Sequence, residues 1–520
     1  MERTKSSIKN LIYAFTGQGA GIIISVLARL VFVKVLTAEY LGLNGLFSNI
    51  LSMLSLVELG VGPAMTFSLY KPLAEKNAEK IKSLMNLYKN TYRVIGCVML
   101  IIGISITPFL PYLIDEMPDI SNINVIYIFF VINTSISYFY SYKRSLIISD
   151  QKRYLATLYR YACYFILNVI QIVVLIITKN YELYLIAQIL MTFTENVIVS
   201  KKADKLYPYL REKNIKKLSK EDTNPIKKNI TAMVAHKVGG IVVNSTDNLI
   251  ISKFVGLVAV GIYSNYYLIT NALNTVCTQI FTSITASVGN LCATESKEKI
   301  YEIFEKTLFI NFWIYGFASI CLFVLFNNFI EIWVGKEYLF SIGVVSIIII
   351  NFYISGMRKT VLTFRDALGL YWQDRYKPII ESVINIIASL ILVENYGVLG
   401  VFIGTLISTL TTCFWLEPYI LYKYGIKNNV KKYFSKYAIY TFITIVAGCI
   451  TVMISEFIFY NVNIINFVGK MIICTIIPNL FFFMAFHKSK EFIYFKDLAI
   501  NLVKKVIQRK NKKEKGMSIS

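Results

Sequence analysis

The chain has 520 residues, 56% of them hydrophobic and only 16% charged, whereas soluble domains carry about a quarter charged residues. This composition excludes a soluble globular fold and implies a polytopic membrane protein. The formal charge of +23 does not imply a nucleic-acid partner, because the Lys and Arg fall in short bursts between apolar runs and are not gathered on one basic face.

From the N-terminus, "MERTKSSIKN" precedes an apolar run from Leu11 to Val33. The run exceeds a secretory h-region and no small-x-small cleavage site follows, so it reads as an uncleaved first span. A transmembrane helix needs about 20 mostly apolar residues. Fourteen such stretches follow one another, at 11–33, 41–68, 92–113, 123–142, 155–177, 181–200, 230–252, 259–288, 307–329, 338–357, 376–393, 398–420, 437–459 and 468–487. Every second connection is basic: the N-terminus, 69–91, 143–154, 201–229, 289–306, 358–375, 421–436 and the tail from Lys488. The alternate connections are short and lean acidic, as in "IDEMPDISN", and only Lys34, Lys179, Lys253, Lys336 and Lys470 fall on that side. Cytoplasmic loops are enriched in Lys and Arg, which puts both termini in the cytoplasm.

Eight cysteines stand singly in or beside apolar segments with no CxxC pair, which suits core packing and neither a disulfide nor a zinc framework. With only His236 and His487 in the chain, a His-rich metal centre is excluded and no cofactor is expected.

An internal repeat is also legible. Residue n set against n+219 aligns Lys9–Asn10 with Lys228–Asn229, Gly21–Ile22 with Gly240–Ile241, Leu30 with Leu249, Lys34 with Lys253 and Gly42 with Gly261. An offset of 222 pairs Gln151, Arg153 and Tyr154 with Gln373, Arg375 and Tyr376. Spans 1 and 7 both begin inside, so the halves are parallel repeats related by an axis along the membrane normal, with substrate expected between the lobes. The fold class is therefore an all-α polytopic membrane protein of about 14 transmembrane helices. Its expected parts are an N-terminal six-helix lobe (1–200), a basic cytoplasmic linker (201–229), a C-terminal six-helix lobe (230–420), two additional helices (421–487) and a basic cytoplasmic tail (488–520).

The stretch from Arg29 to Leu73 resembles the first two helices of the polysaccharide-type, Wzx-like flippases of the multidrug/oligosaccharidyl-lipid/polysaccharide exporter superfamily. The matching features are Arg29 near the outer end of span 1, the turn Glu39-Tyr40-Leu41-Gly42-Leu43, and Glu58-Leu59-Gly60 followed by Gly62. Asp is the more usual residue in that last motif, and Glu58 keeps its charge. The resemblance implies a bacterial cytoplasmic-membrane protein, not an enzyme, that exports an undecaprenyl-diphosphate-linked oligosaccharide for capsule, O-antigen or another surface glycan. It also implies alternating access through a cavity lined by spans 1, 2, 7 and 8. A lipid-linked oligosaccharide, membrane lipids, a coupling proton or sodium ion and a glycan polymerase are its expected partners.

Ionisable groups inside spans cost about 3 kcal/mol on insertion scales and mark functional positions. His236 and Lys237 lie seven or eight residues into span 7, about 10–12 Å from its cytoplasmic end at 1.5 Å per residue and too deep to snorkel easily. They are candidate substrate-binding residues, because a diphosphate needs cations in a low-dielectric path. Arg29 joins them on the strength of the resemblance, and Asn244 and Asn248 are candidates for the sugar. Glu58 and Asp247 are candidates for ion coupling or a gate, with Asp247 expected to pair with Arg29. Arg153 and Arg375, in the repeated Gln-x-Arg-Tyr, are expected on the inner rims. Arg160, Glu195 and Glu381, near cytoplasmic ends of their spans, read as interfacial. Competing readings are a lipid II flippase or multidrug extruder of the same superfamily, and a membrane glycan polymerase or ligase; the latter normally needs a large outer loop, and the outer loops here reach only about ten residues.

In a cysteine-free background, a single cysteine at 117 should react with an impermeant thiol reagent in intact cells, and cysteines at 215 and 510 only after permeabilisation. Labelling at 215 in intact cells would overturn the topology.

Overall fold

The computed structural model describes residues 2–58, 61–114, 118–150, 152–212, 215, 216, 218, 224, 245–370, 373, 375–497 and 500. Among them no strand forms. In hydrocarbon a lone segment must satisfy its own backbone N–H and C=O groups, which leaves the helix as the solution for each apolar run. In chain order the helices are α1 (Glu2–Val35), α2 (Ala38–Leu54), α3 (Val61–Ala74), α4 (Ala78–Ile106), α5 (Leu110–Leu113), α6 (Ile123–Ser149), α7 (Arg153–Thr178) and α8 (Tyr181–Leu206). They continue with α9 (245–254), α10 (Leu257–Thr294), α11 (Lys297–Trp333), α12 (Ile342–Ala367), α13 (Lys377–Tyr396), α14 (Val398–Thr411), α15 (Cys413–Ile420), α16 (Lys431–Ile458), α17 (Ile464–Phe486) and α18 (490–497). By length and hydropathy, eleven helical stretches among the described residues can cross a membrane. The other three expected spans fall on α2 with α3, on 230–252, of which only 245–252 is described, and on α10. The chain is thus an all-α polytopic membrane protein.

Among the boundaries that differ from expectation, two bear on the site. Span 2 (41–68) falls on two helices, α2, which is followed by a 3-10 turn at Ser55–Glu58, and α3, described from Val61. Span 10 was expected to stop at 357, yet α12 continues to Ala367. The extension carries Arg358 and Lys359, read from sequence as part of a basic connection, into the helix. A turn then forms at Gly369, whose φ of +67° is in the left-handed region that favours glycine, and Pro378 sits in the first turn of α13.

Contacts divide the chain into two compact units. The first comprises Met1–Ala272 and Arg375–Thr409, the second Leu273–Asp374 and Leu410–Ser520. In the first, helix ends flanking the charge-poor connections bury a cluster including Leu36, Leu46, Phe47, Leu110, Tyr127 and Leu257. A separate cluster, with Met65, Tyr88, Ile95, Leu146 and Val199, sits toward the basic connections. In the second, α11 carries α12, α16 and α17. Asn311 Nδ2 donates to the carbonyls of Gly356 (3.1 Å) and Met357 (3.0 Å) on α12, Phe312 stacks on Tyr440 of α16 with centroids 4.4 Å apart, and Trp313 Nε1 donates to Asn479 Oδ1 of α17 at 2.8 Å.

Within the first unit, α2 and α10 cross at backbone contact, and they do so reciprocally. A Cβ on Gly42 would lie 2.1 Å from the carbonyl oxygen of Leu257, and a Cβ on Gly261 would lie 2.4 Å from that of Ala38. Gly42 and Gly261 are 219 residues apart, as are Ala38 and Leu257. The same rule extends to the next helix pair: Arg29 of α1 reaches Ser264 of α10, while its counterpart Asn248 of α9 lies beside Gly45 of α2, the counterpart of Ser264. The sequence repeat is therefore also a repeat of contacts, closing the charge-poor end of this unit.

Valine at Gly42 or Gly261 should force α2 and α10 apart. Leu46, fully buried beneath the crossing, offers the readout: in a cysteine-free background, Leu46→Cys should resist an aqueous maleimide and become reactive when Gly42→Val is added. Equal protection in both would show that the crossing does not form the seal.

Candidate functional site

Arg29 lies in the last third of α1. Its Nη1 donates to Ser264 Oγ at 3.1 Å, and the phenols of Tyr164, Tyr181 and Tyr184 surround its charge. Tyr181 and Tyr184 stack on each other and take the edge of Phe32, which fixes the aromatic wall. Among the described residues no carboxylate pairs with Arg29. The expected Arg29–Asp247 pair is not formed in this conformation.

Asp247 goes elsewhere. The Thr405 hydroxyl of α14 approaches both carboxylate oxygens at 3.4 Å, Asn385 Nδ2 of α13 donates to Thr405 Oγ1 at 3.0 Å, and Thr246 Oγ1 donates to Asn385 Oδ1 at 3.4 Å. Tyr263 of α10 stands close enough to feel the carboxylate. Asn385 is fully buried. One carboxylate among hydroxyl and amide oxygens is a hard-oxygen donor set, which suits a proton or a small alkali or alkaline-earth ion better than a thiophilic metal. No group of three His, Cys, Asp or Glu converges among the described residues.

Glu58 ends the 3-10 turn that breaks span 2. Tyr92 donates to Glu58 Oε1, Tyr138 binds the same carboxylate, and Tyr88 hydrogen-bonds to Ser145 at 3.0 Å behind them. A Cβ on Gly62 would meet Glu58 Oε1 at 2.7 Å and the Tyr92 hydroxyl at 2.8 Å, so the glycine makes room for this cage. Glu58, like Asp247, has no basic partner among the described residues.

Of the remaining sequence candidates, Asn248 has a buried Oδ1 without a hydrogen-bond partner among the described residues. Arg375 lies over the ring of Tyr376 at 4.6 Å. Arg153 opens α7. His236, Lys237 and Asn244 lie outside the described residues. Glu195, read as interfacial, forms an ion pair with Arg144.

The charged group that sequence reading missed is on α12 and α15. Arg358 and Glu417 form a two-pronged pair, Nε to Oε2 at 2.9 Å and Nη2 to Oε1 at 2.8 Å, with Glu417 fully buried. Beside it stands Lys359, with no hydrogen bond or ion pair to its ammonium among the described residues. The available signal was Glu417 inside an apolar run, since a carboxylate there requires a cation at helical reach.

A comparison with protein-family models gives no match, and a comparison with curated proteins gives none either. Solved structures do match. A lipid II flippase, MurJ, in an inward closed conformation superposes with TM-score 0.67 at 15% identity, over 95% of this chain and 100% of that one. An inward-facing multidrug resistance MATE family transporter of the MOP superfamily gives 0.64 at 14% identity, over 77% and 94%. A Vibrio cholerae MATE transporter, VcmN, gives 0.56 at 12%, over 82% and 99%. What is shared at these identities is the fold.

Removing one partner of the Arg358–Glu417 pair leaves a buried charge and should cost about 3–5 kcal/mol. Arg358→Met and Glu417→Gln should each lower the thermal unfolding midpoint in detergent, and Arg358→Met with Glu417→Leu should regain most of it. Equal midpoints for all three variants would show that the pair is not a structural tie.

Proposed function

We propose that this chain is a flippase that turns a polyprenyl-diphosphate-linked oligosaccharide from the cytoplasmic to the outer leaflet by alternating access, for assembly of a surface polysaccharide. Arg29 carries the reading. A guanidinium inside a span, hydrogen-bonded to a serine, set near three tyrosines and matched by no described carboxylate, is a cost that an anionic cargo offsets. A diphosphate brings two or more negative charges. An organic cation would be repelled by the same group. The reciprocal crossing of α2 and α10 supports the alternating-access part, since it closes the charge-poor end in this conformation.

In this mechanism the cargo loads from the basic side, where Arg153, Arg375, His236 and Lys237 meet the headgroup and Asn244 and Asn248 meet sugar. Asp247 and Glu58 are coupling sites. Each is a carboxylate held only by neutral hydroxyl and amide groups, so protonation or sodium binding at either changes the net charge of its surroundings without breaking an ion pair. Asp247 binds α9 to α13 and α14 through Thr405, so ion occupancy there bears on the position of α9 and hence on the α1–α10 contact at Arg29.

Lipid II transport, the activity named for MurJ, uses the same polyprenyl-diphosphate chemistry and differs in the sugar. Multidrug extrusion is favoured by one observation, the two carboxylates without basic partners, and is tested by the same variants. In cells, Arg29→Ala should leave membrane abundance unchanged, reduce the surface glycan and accumulate its lipid-linked precursor. Asp247→Asn should remove the dependence of transport on the ion gradient. Normal glycan in Arg29→Ala, together with lost dye efflux in Asp247→Asn, would replace the flippase reading with extrusion.

A further inference from the structure

The α12 helix carries three cations, Arg358, Lys359 and Arg365, and two of them are neutralised. Arg358 is held by Glu417 and Arg365 by Asp366 at 2.8 Å. Lys359 makes no ion pair among the described residues, though Glu417 acts on it electrostatically from a greater distance. The neighbouring pair cannot be diverted to it cheaply, because both prongs of Glu417 are taken and the carboxylate is fully buried.

Its place on the helix is informative. Asn351, Ser355 and Lys359 recur every fourth residue and so share one stripe, which Asp366 continues. Toward the charge-poor end the stripe is closed by Val344 and Ile348, each 7% exposed. From there Ser355 is exposed, Lys359 half-buried and Asp366 exposed. A different stripe of α12 presents Ile342 (59% exposed) and Ile350 (41% exposed), the residues expected against lipid. Ser355 is five residues from Ile350, roughly 140° around the helix at 3.6 residues per turn. The helix therefore has one apolar exposed stripe and one polar exposed stripe that opens toward the basic end. Lipid tails do not favour Asn, Ser, Lys and Asp; an aqueous path does. Cys277 of α10 lies close enough to Lys359 to interact with it electrostatically, so the ammonium stands beside α10, and Asn311 fixes the α12 backbone one residue before Arg358.

We infer that Lys359 is a cargo-binding residue that meets the diphosphate of a polyprenyl-linked substrate. This rests on the flippase reading and adds to it a residue and its ligand group. The bidentate Arg358–Glu417 pair is the positioning element: it holds this turn of α12 helical and leaves the Lys359 ammonium with one positive charge to offer. Cargo anion and ammonium form a charge-assisted hydrogen bond that no described carboxylate already makes with Lys359.

The test uses the full chain purified into phosphatidylcholine nanodiscs, with farnesyl diphosphate as probe and farnesol as the uncharged control. Wild type should bind farnesyl diphosphate saturably and more weakly as salt rises. Lys359→Gln should lose about tenfold in affinity, the effect expected for one charge-assisted contact of about 1.4 kcal/mol. Lys359→Arg should retain binding, farnesol should be unaffected by either change, and thermal midpoints should stay equal. The tenfold difference should persist in nanodiscs rich in phosphatidylglycerol. Its disappearance there would assign Lys359 to bulk anionic lipid and overturn the inference, as would wild-type affinity in Lys359→Gln while Arg29→Ala loses binding, an outcome that leaves the flippase reading intact. Failure of the wild type to bind farnesyl diphosphate at all would overturn both.

Discussion

The approach of α2 and α10 to backbone distance is the constraint on which the first unit depends. Between helices in lipid there is little hydrophobic drive to associate, because the tails are as apolar as leucine, and association rests on close van der Waals packing through small residues. Gly42 and Gly261 supply that packing twice, each against the carbonyl of a residue at the start of the opposing helix. The crossing sets α10 beside α1, which is what brings Ser264 to Arg29. It also explains why the unit takes in α9, the front of α10, α13 and most of α14 along with α1 to α8. A contact made by glycines can be released at modest cost, since no large side chain has to leave a pocket.

Charges inside the spans sort into two kinds, and the sorting is physical. Arg358 with Glu417, Arg144 with Glu195, and Lys470 with Glu456 are matched pairs; removal of either member of the first two, or of the half-exposed Glu456, strands the other charge at a poorly solvated site, so they are ties within the fold. Arg29, Asp247 and Glu58 are not matched by a described opposite charge. Each is instead surrounded by neutral dipoles or left open, which tolerates the charge without cancelling it. A group held this way can respond to an arriving ion.

The tyrosines give these sites their shape. Tyr164, Tyr181 and Tyr184 enclose Arg29, Tyr92 and Tyr138 hold Glu58, and Tyr263 faces Asp247. A phenol has an apolar body that packs in a span and one hydroxyl that can solvate a charge. The abundance of tyrosine, 36 residues in all, is consistent with a membrane interior that must accommodate charge without water.

Hydropathy and the alternation of Lys and Arg determined the fold class, because twenty apolar residues in hydrocarbon admit one backbone solution and the helix follows from composition alone. The repeat was legible too, and one of the residue pairs it matched, Gly42 with Gly261, touches reciprocal partners. Sequence could not show what the charges do. Whether Asp247 meets Arg29 or Thr405 depends on which helices abut α9, and that is settled by packing between segments more than a hundred residues apart. It also read Arg358 and Lys359 as a loop, since a basic pair at the end of an apolar run looks like a boundary. Only the tertiary structure brings Glu417 from α15 to neutralise Arg358, so that α12 runs on past both cations.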